Sequence, residues 1–157
     1  MPTAALLTIS DTRSAGERED TTTSLMAEIL AEADIEVIAA QLVPDEHDDI
    51  AAAIVEFAEQ ADLVLTSGGT GLAPRDVTPE ATLSVLDREA RGIAEAMRAE
   101  TAKHQQLSWL SRAVAGQRGT TLVVNLPGNP KAVRECLHVL LPMLPHALKL
   151  SAGGGQH

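Results

Sequence analysis

Apolar positions along this chain fall in short continuous runs separated by longer stretches with helical spacing. Ala4-Ala5-Leu6-Leu7-Thr8-Ile9 is apolar without alternation, the pattern of a strand buried on both faces. Leu63-Val64-Leu65-Thr66 and Thr120 to Leu126 repeat that pattern, and Glu36 to Val43 is β-rich and stops at Pro44. Between them, Leu25, Met26, Ile29 and Leu30 follow helical spacing after Asp20 and three threonines, which offer an N-cap. Ile50, Ile54, Val55 and Ala58 mark a second amphipathic helix. Thr78-Pro79-Glu80 reads as an N-cap with proline at the first helical position, opening a helix to about Leu86. Further helices are predicted from about Gly92 to Lys103 and from about Pro130, the latter carrying Val133, Leu137 and Leu140 until Pro142 and Pro145 interrupt it. Residues 104–119 are polar and irregular, a loop with a short element around Trp109.

This alternation predicts an α/β fold with a mainly parallel sheet covered on both faces. The 157 residues suit one domain, placed at 1–150, with 151–157 as a polar, glycine-rich tail expected to be disordered. Phe57 and Trp109 are the only aromatic residues, so Leu, Val, Ile and Ala must fill the core.

The net charge of −10 and the lack of stacking rings exclude a nucleic-acid binder. No apolar run approaches the length of a membrane span, and Met1-Pro2-Thr3-Ala4 lacks the basic start of a signal peptide. A single cysteine, Cys136, permits neither an internal disulfide nor a cysteine zinc cluster. The scattered histidines show no metal-ligand spacing. A soluble cytoplasmic domain is the expectation.

Ligands of such sheets bind at the carboxyl ends of the strands, and the unusual residues of this chain all follow strands. Ser67-Gly68-Gly69-Thr70-Gly71 removes side chains where a backbone approaches a ligand or takes positive φ. Its amides, with the Ser67 and Thr70 hydroxyls, would form a concave anion site; a tight connector without a ligand is the alternative. Neither a Walker loop nor the dinucleotide fingerprint is present, which disfavours a nicotinamide oxidoreductase. Asp45 and Asp76 each lie between a strand and a helix, as caps or turn residues or as a pair sharing magnesium on a nucleotide. Arg75 would face phosphate oxygens or solvent, and Asp11 has the same ambiguity as the other aspartates. At Asn125-Leu126-Pro127-Gly128-Asn129-Pro130 a turn meets the last helix, either as a structural turn alone or as a site where the first helical amides, with Lys131, hold an anion or a purine edge. Ser111-Arg112 reads by default as surface, Cys136 as packing, and Trp109 as a core or interface residue.

Taken together, Thr66 to Gly71 followed by Pro74-Arg75-Asp76-Val77-Thr78-Pro79-Glu80-Ala81 resembles the signature of the MogA/MoaB family of molybdenum cofactor biosynthesis proteins. Thr8-Ile9-Ser10-Asp11, Val43-Pro44-Asp45-Glu46, Leu110-Ser111-Arg112 and Leu126-Pro127-Gly128-Asn129-Pro130 agree in order, so the resemblance covers about residues 4 to 150. It extends to the G domains of gephyrin and of the plant molybdenum-insertion protein. The family implies a three-layer α/β sandwich, usually a homotrimer, and its best-known activity is transfer of AMP from magnesium-ATP to the phosphate of molybdopterin. By matching positions, Asp45 and Asp76 are similar to the acidic pair linked to catalysis and magnesium. Ser67, Gly68, Gly69, Thr70 and Gly71 match nucleotide- and pterin-phosphate-binding segments, as do Pro127, Gly128 and Asn129. Ser10, Asp11, Arg75, Ser111 and Lys131 fall on or beside motif positions. The Arg75-Asp76-Val77-Thr78-Pro79 form is similar to the MogA-type branch. Thr21-Thr22-Thr23 stands where many relatives carry Ser-Gly, replacing a glycine with hydroxyl donors. A rival expectation is a MoaB-like or gephyrin-like scaffold that binds pterin without turnover. A partner of the MoeA type, which inserts molybdenum, is also implied.

Overall fold

The computed structural model describes residues 1–14, 16 and 20–155. Three parallel pairings build its centre. Strand β1 (Thr3–Ile9) lies between β2 (Glu36–Val43) and β3 (Leu63–Ser67), and β3 pairs with β6 (Thr121–Leu126). Two strands absent from the sequence expectation, β4 (Arg88–Glu89) and β5 (Ala115–Arg118), extend the sheet in antiparallel fashion to the order β2-β1-β3-β6-β5-β4. β5 turns into β6 through Gly119 and Thr120, with Gly119 at φ +58, a conformation glycine adopts without a Cβ penalty.

Alternate residues of the central strands feed two cores. Ala4 and Leu6, Leu63 and Leu65, and Leu122, Val124 and Leu126 face α2 (Thr22–Ala31), α5 (Arg91–Ala102), α6 (Pro130–Leu140) and α7 (Leu144–Ser151). Ala5, Leu7, Ile9, Val64 and Val123 face α3 (His47–Ala58) and α4 (Thr78–Val85) on the other side. Helix, sheet and helix thus form three layers, and the continuous apolar runs are explained by burial on both faces. Edge strand β2 instead carries exposed and partly buried residues, with Val43 alone buried at its end.

Helix ends differ in detail from the sequence reading. Asp20 does supply the start of α2, its Oδ1 accepting from the backbone of Thr22 at 3.1 Å and Thr23 at 3.4 Å. Thr78 is the first residue of α4 rather than its cap, and its hydroxyl donates to the Gly68 carbonyl at 2.9 Å. A short helix α1 (Asp11–Ser14) follows β1, and a 3-10 turn covers Gln106–Leu110, where a short element was expected. Ser151, placed in the tail from sequence, closes α7 and is buried, donating to the Thr120 carbonyl at 2.9 Å. Gln156 and His157 lie outside the described residues. Among the described residues no helix is long and apolar enough to cross a membrane.

Chain order places the site. From β1 the chain passes outward to β2, and β3 then lies on the opposite side of β1, so the order reverses between β1 and β3. Their carboxyl ends carry Ser10-Asp11 and Ser67-Gly68-Gly69, at the switch point where open α/β sheets bind ligands.

Candidate functional site

Four loops converge on this edge. Ser10 N donates to the Val43 carbonyl at 2.9 Å, holding the end of β1 beside the end of β2. One residue further, Asp11 and Asp45 exchange bonds: Asp11 N donates to Asp45 Oδ2 at 3.0 Å, and Asp45 N donates to Asp11 Oδ1 at 2.9 Å. Arg75 grips Asp11 from the glycine loop, its Nε and Nη2 reaching that carboxylate at 2.8 and 3.0 Å, and its Nη2 also reaches Glu46 at 3.0 Å. Asp76 accepts from Ala73 N at 3.1 Å through Oδ2. Among the described residues no hydrogen bond engages Asp45 Oδ1 or Asp76 Oδ1.

The glycine loop is shaped by what surrounds it. Gly68 sits at φ +107, and a Cβ there would overlap the Ile9 carbonyl oxygen. A Cβ on Gly69 would overlap the Thr78 hydroxyl and lie 3.0 Å from Asp45 Oδ1; one on Gly71 would lie 2.9 Å from Asp76 Oδ2. Both carboxylates therefore press against the same loop. A Cβ on Gly128 would stand 3.4 Å from Gly68 Cα, so the turn after β6 closes on it as well.

The electrostatics of the aspartates diverge. Burial pushes the Asp45 carboxyl above the ordinary range, the negative charges of Asp11 and Asp76 add to this, and the Asp11 amide and Arg75 oppose it. Hydrogen bonding from Arg75, then from the Asp45 backbone, lowers Asp11. Arg75, between two carboxylates, is held protonated more firmly than usual. Asp45 is thus a half-buried carboxylate beside a second negative group, an arrangement that a cation would relieve.

The donor set suits magnesium. Oxygen ligands are hard, and Mg2+ takes one or two carboxylates and completes its octahedron with water and phosphate oxygens. Among the described residues no group of three or more His, Cys, Asp or Glu side chains could hold a metal ion, so a cation here would have to complete its shell with water or ligand oxygens.

Next to Thr70 and Gly71 of the glycine loop a cavity of about 510 Å³ opens between α5, the 3-10 turn and α6. Thr70, Gly71, Ser111, Pro127, Asn129 and Lys131 line it, with Arg98, His104, Met97 and Cys136. Its wall at Ser111 is held by Arg98 Nη1, which donates to the Ser111 and Ala113 carbonyls at 3.2 and 2.8 Å. Cys136, read as packing, belongs to the core, and burial raises its thiol to about 11. Trp109, expected in a core or interface, is exposed.

Several predicted ligand groups have other occupations. The Ser67 hydroxyl is buried and donates to the Pro127 carbonyl at 2.8 Å, tying two loops together. Asn129 caps α6, its Oδ1 accepting from the backbone of Lys131 and Ala132 at 2.9 and 3.3 Å; those helix-start amides are occupied. The Ser10 hydroxyl lies 3.2 Å from that of Thr12 and accepts from Arg13 N at 3.3 Å. Arg75 faces carboxylates, where the sequence reading offered phosphate or solvent. Thr70 is buried, and its carbonyl accepts from Arg112 N at 2.8 Å.

Sequence reasoning missed two supports. Asn125 is fully buried in β6 and donates through Nδ2 to the hydroxyls of Thr66 and Thr82, both at 2.9 Å. Thr82 then donates to the Thr78 carbonyl at 2.8 Å, and Thr78 to Gly68, a polar chain that fixes the loop from below. A lone asparagine inside an apolar run was the available signal. Arg112, read as surface, spans the glycine loop and α4.

The fold and site define the class. Residues 5–146 match the family described as probable molybdopterin binding domain, and the chain belongs to that family. It is 39% identical over 152 residues to the molybdopterin adenylyltransferase of Helicobacter pylori J99, covering 94% of this chain and 86% of that protein. It is 41% identical over 152 residues to the molybdenum cofactor synthesis protein cinnamon of Drosophila melanogaster, covering 94% of this chain but 25% of that longer protein. Among solved structures, the molybdopterin biosynthesis enzyme MoaB of Thermus thermophilus superposes with a TM-score of 0.93 at 50% identity, covering 100% of both chains.

Proposed function

We propose that the protein is a molybdopterin adenylyltransferase that joins AMP from ATP to the phosphate of molybdopterin and releases pyrophosphate. The observation that supports this reading is that two carboxylates, Asp45 and Asp76, press against a glycine loop whose Thr70 and Gly71 also line the 510 Å³ cavity. A nucleotide triphosphate and a second phosphate can meet at such a loop, with metal-holding groups and a receptacle for an organic ring both beside it.

An oxygen of the molybdopterin phosphate attacks the α-phosphorus of ATP; the new P–O bond forms as the bond to the β-phosphate oxygen breaks, and pyrophosphate leaves with that electron pair. The attacking phosphate is already anionic at neutral pH, so the chain supplies position and charge compensation. Asp45 and Asp76 would hold Mg2+, which neutralises charge on the phosphate oxygens when bound. Exposed Lys131 at the cavity supplies a mobile positive charge, and Ser111 and Thr70 border the receptacle. Arg75 neutralises Asp11 and Glu46, and Asp11 orients Asp45 by their exchanged bonds. The reading carries with it a homotrimer, a MoeA-like partner that takes up the product, and action in the cytoplasm.

The test supplies purified protein with molybdopterin, ATP and magnesium and measures adenylylated pterin and pyrophosphate. Asp45→Asn and Asp76→Asn should each lower turnover by about 100-fold or more while the fold is kept, as for lost charge stabilisation. Wild-type rates in both variants would show the acidic pair to be misassigned. Pterin binding without pyrophosphate release from the unaltered protein would favour the scaffold.

A further inference from the structure

We propose that Arg112 is a positioning residue that fixes Asp76 and couples the carboxylate side of the site to the cavity wall; this deepens the adenylyltransferase reading and rests on it. The loop from Leu72 to Arg75 is exposed, and Asp76 at its end is bonded within the loop, Asp76 N to the Ala73 carbonyl and Ala73 N to its carboxylate. Those bonds shape the turn without anchoring it to the rest of the fold.

Arg112 provides an anchor along the backbone. Its own N–H donates to the Thr70 carbonyl at 2.8 Å, Nε to the Gly71 carbonyl at 2.8 Å, and Nη2 to the Asp76 carbonyl at 2.7 Å. Nη1 meets both carboxylate oxygens of Glu80 on α4, at 2.8 and 2.9 Å. One guanidinium thus spans the start of the loop, its end and the helix that follows. Charge-assisted bonds from Arg to carbonyls are stronger than neutral ones, and the planar fork fixes three directions at once. The adjoining Ser111 lines the cavity, with its carbonyl held by Arg98. A shift of the cavity wall at Ser111 would therefore reach the carbonyl of Asp76 through one peptide unit and the Arg112 side chain. Glu80 is an outer brace: its ion pair is solvent-exposed and contributes little by itself.

Lysine keeps the charge but lacks the fork, so Arg112→Lys separates the two properties. Three readouts are taken on the full chain: Mn2+ binding with ATP by electron paramagnetic resonance, hydrogen exchange of amides 71–78, and the Mg2+ dependence of adenylyl transfer. Arg112→Lys should weaken Mn2+ and raise the Mg2+ half-saturation by about tenfold, the usual scale for losing a group that orients a metal ligand. Exchange should quicken at 71–78 and stay unchanged in β1 and β3, with the molybdopterin KM preserved. Arg112→Ala should recover part of its Mn2+ affinity with added methylguanidinium, and Glu80→Gln should bind Mn2+ like the unaltered protein. Unchanged Mn2+ affinity in Arg112→Lys, or exchange that quickens throughout the sheet, overturns the proposal. If the unaltered protein binds Mn2+ with ATP but transfers nothing, the adenylyltransferase reading fails, while the binding and exchange results still decide the role of Arg112. If it does not bind Mn2+ with ATP, both fall.

Discussion

Gly68→Ala isolates the backbone requirement of the glycine loop from its chemistry. Gly68 occupies φ +107, where a side chain is strained whatever the space, and the added methyl would collide with the Ile9 carbonyl oxygen. Retreat is blocked because Gly68 N is bonded to the Leu126 carbonyl at 3.1 Å, its own carbonyl accepts from Thr78, and the Gly128 turn lies against its Cα. Backbone strain of this kind costs about 1–3 kcal/mol, and a methyl forced into a packed site costs about the same again. A total near 4 kcal/mol would lower the melting temperature of a domain this size by about 8–16 °C. Gly71→Ala is the companion variant. It has no positive φ, and its methyl would meet only the tip of the Asp76 side chain at 2.9 Å, which can swing aside. Its melting temperature should stay within about 2 °C, the range of an ordinary surface change, while its magnesium requirement rises. Circular dichroism melts and magnesium titrations of both variants make the comparison. A Gly68→Ala protein that melts like the unaltered chain, or a Gly71→Ala protein that melts as low as Gly68→Ala, would refute the reasoning.

Asp45 should show opposed effects on stability and activity. Its carboxyl is raised by burial and by neighbouring negative charge, so its ionised form costs stability at neutral pH. That cost is relieved as pH falls through the folded pKa, because the native state takes up a proton before the unfolded chain does. Asp45→Asn should therefore be more stable than the unaltered protein at pH 7 and lose that advantage as pH falls through the folded Asp45 pKa, read from urea titrations. Asp11, lowered by Arg75, has the reverse sign: its contribution is present above the unfolded carboxylate pKa and is lost as pH falls through the folded one. Asn125→Ala would leave the buried Thr66 hydroxyl and the half-buried Val114 amide without their Asn125 partner and strip one bond from the Thr82 hydroxyl, which keeps the Thr78 carbonyl. A loss of about 3 kcal/mol is expected from such orphaned groups, read from the urea midpoint; a loss below about 1 kcal/mol, the level of a surface change, would show the network to be dispensable.

The central strands were legible in the sequence because burial on both faces leaves a continuous apolar run, and β1, β3 and β6 carry one. β5 was not legible: Ala-Gly-Gln-Arg has too little apolar character, and a strand forms there because β6 and the Arg88 segment pair with it. Gly116 contributes through its lack of a side chain, since a Cβ would overlap the Arg88 carbonyl oxygen. At the site, the strand-end rule singled out Asp11, Asp45, the glycine loop and Asp76, and the structure brings all four together. The internal bonds of Ser67 and Asn129 were not legible, because residue type does not say which partner a hydroxyl or amide will meet.

Residue order alone accounts for the alternation of strands and helices, the two-sided burial and the positions where chemistry follows a strand. All of these depend on neighbours a few residues away and on water. Partners were settled by the folded arrangement. Asp11 and Asp45 are separated by 34 residues, Arg112 and Gly71 by 41, and Arg75 and Asp11 by 64. Such contacts depend on strand order, which reverses between β1 and β3 and draws distant loops to one edge. The functions of Arg75 and Arg112 follow from that convergence, since a guanidinium is a surface charge or a clamp according to the carbonyls and carboxylates the fold sets before it.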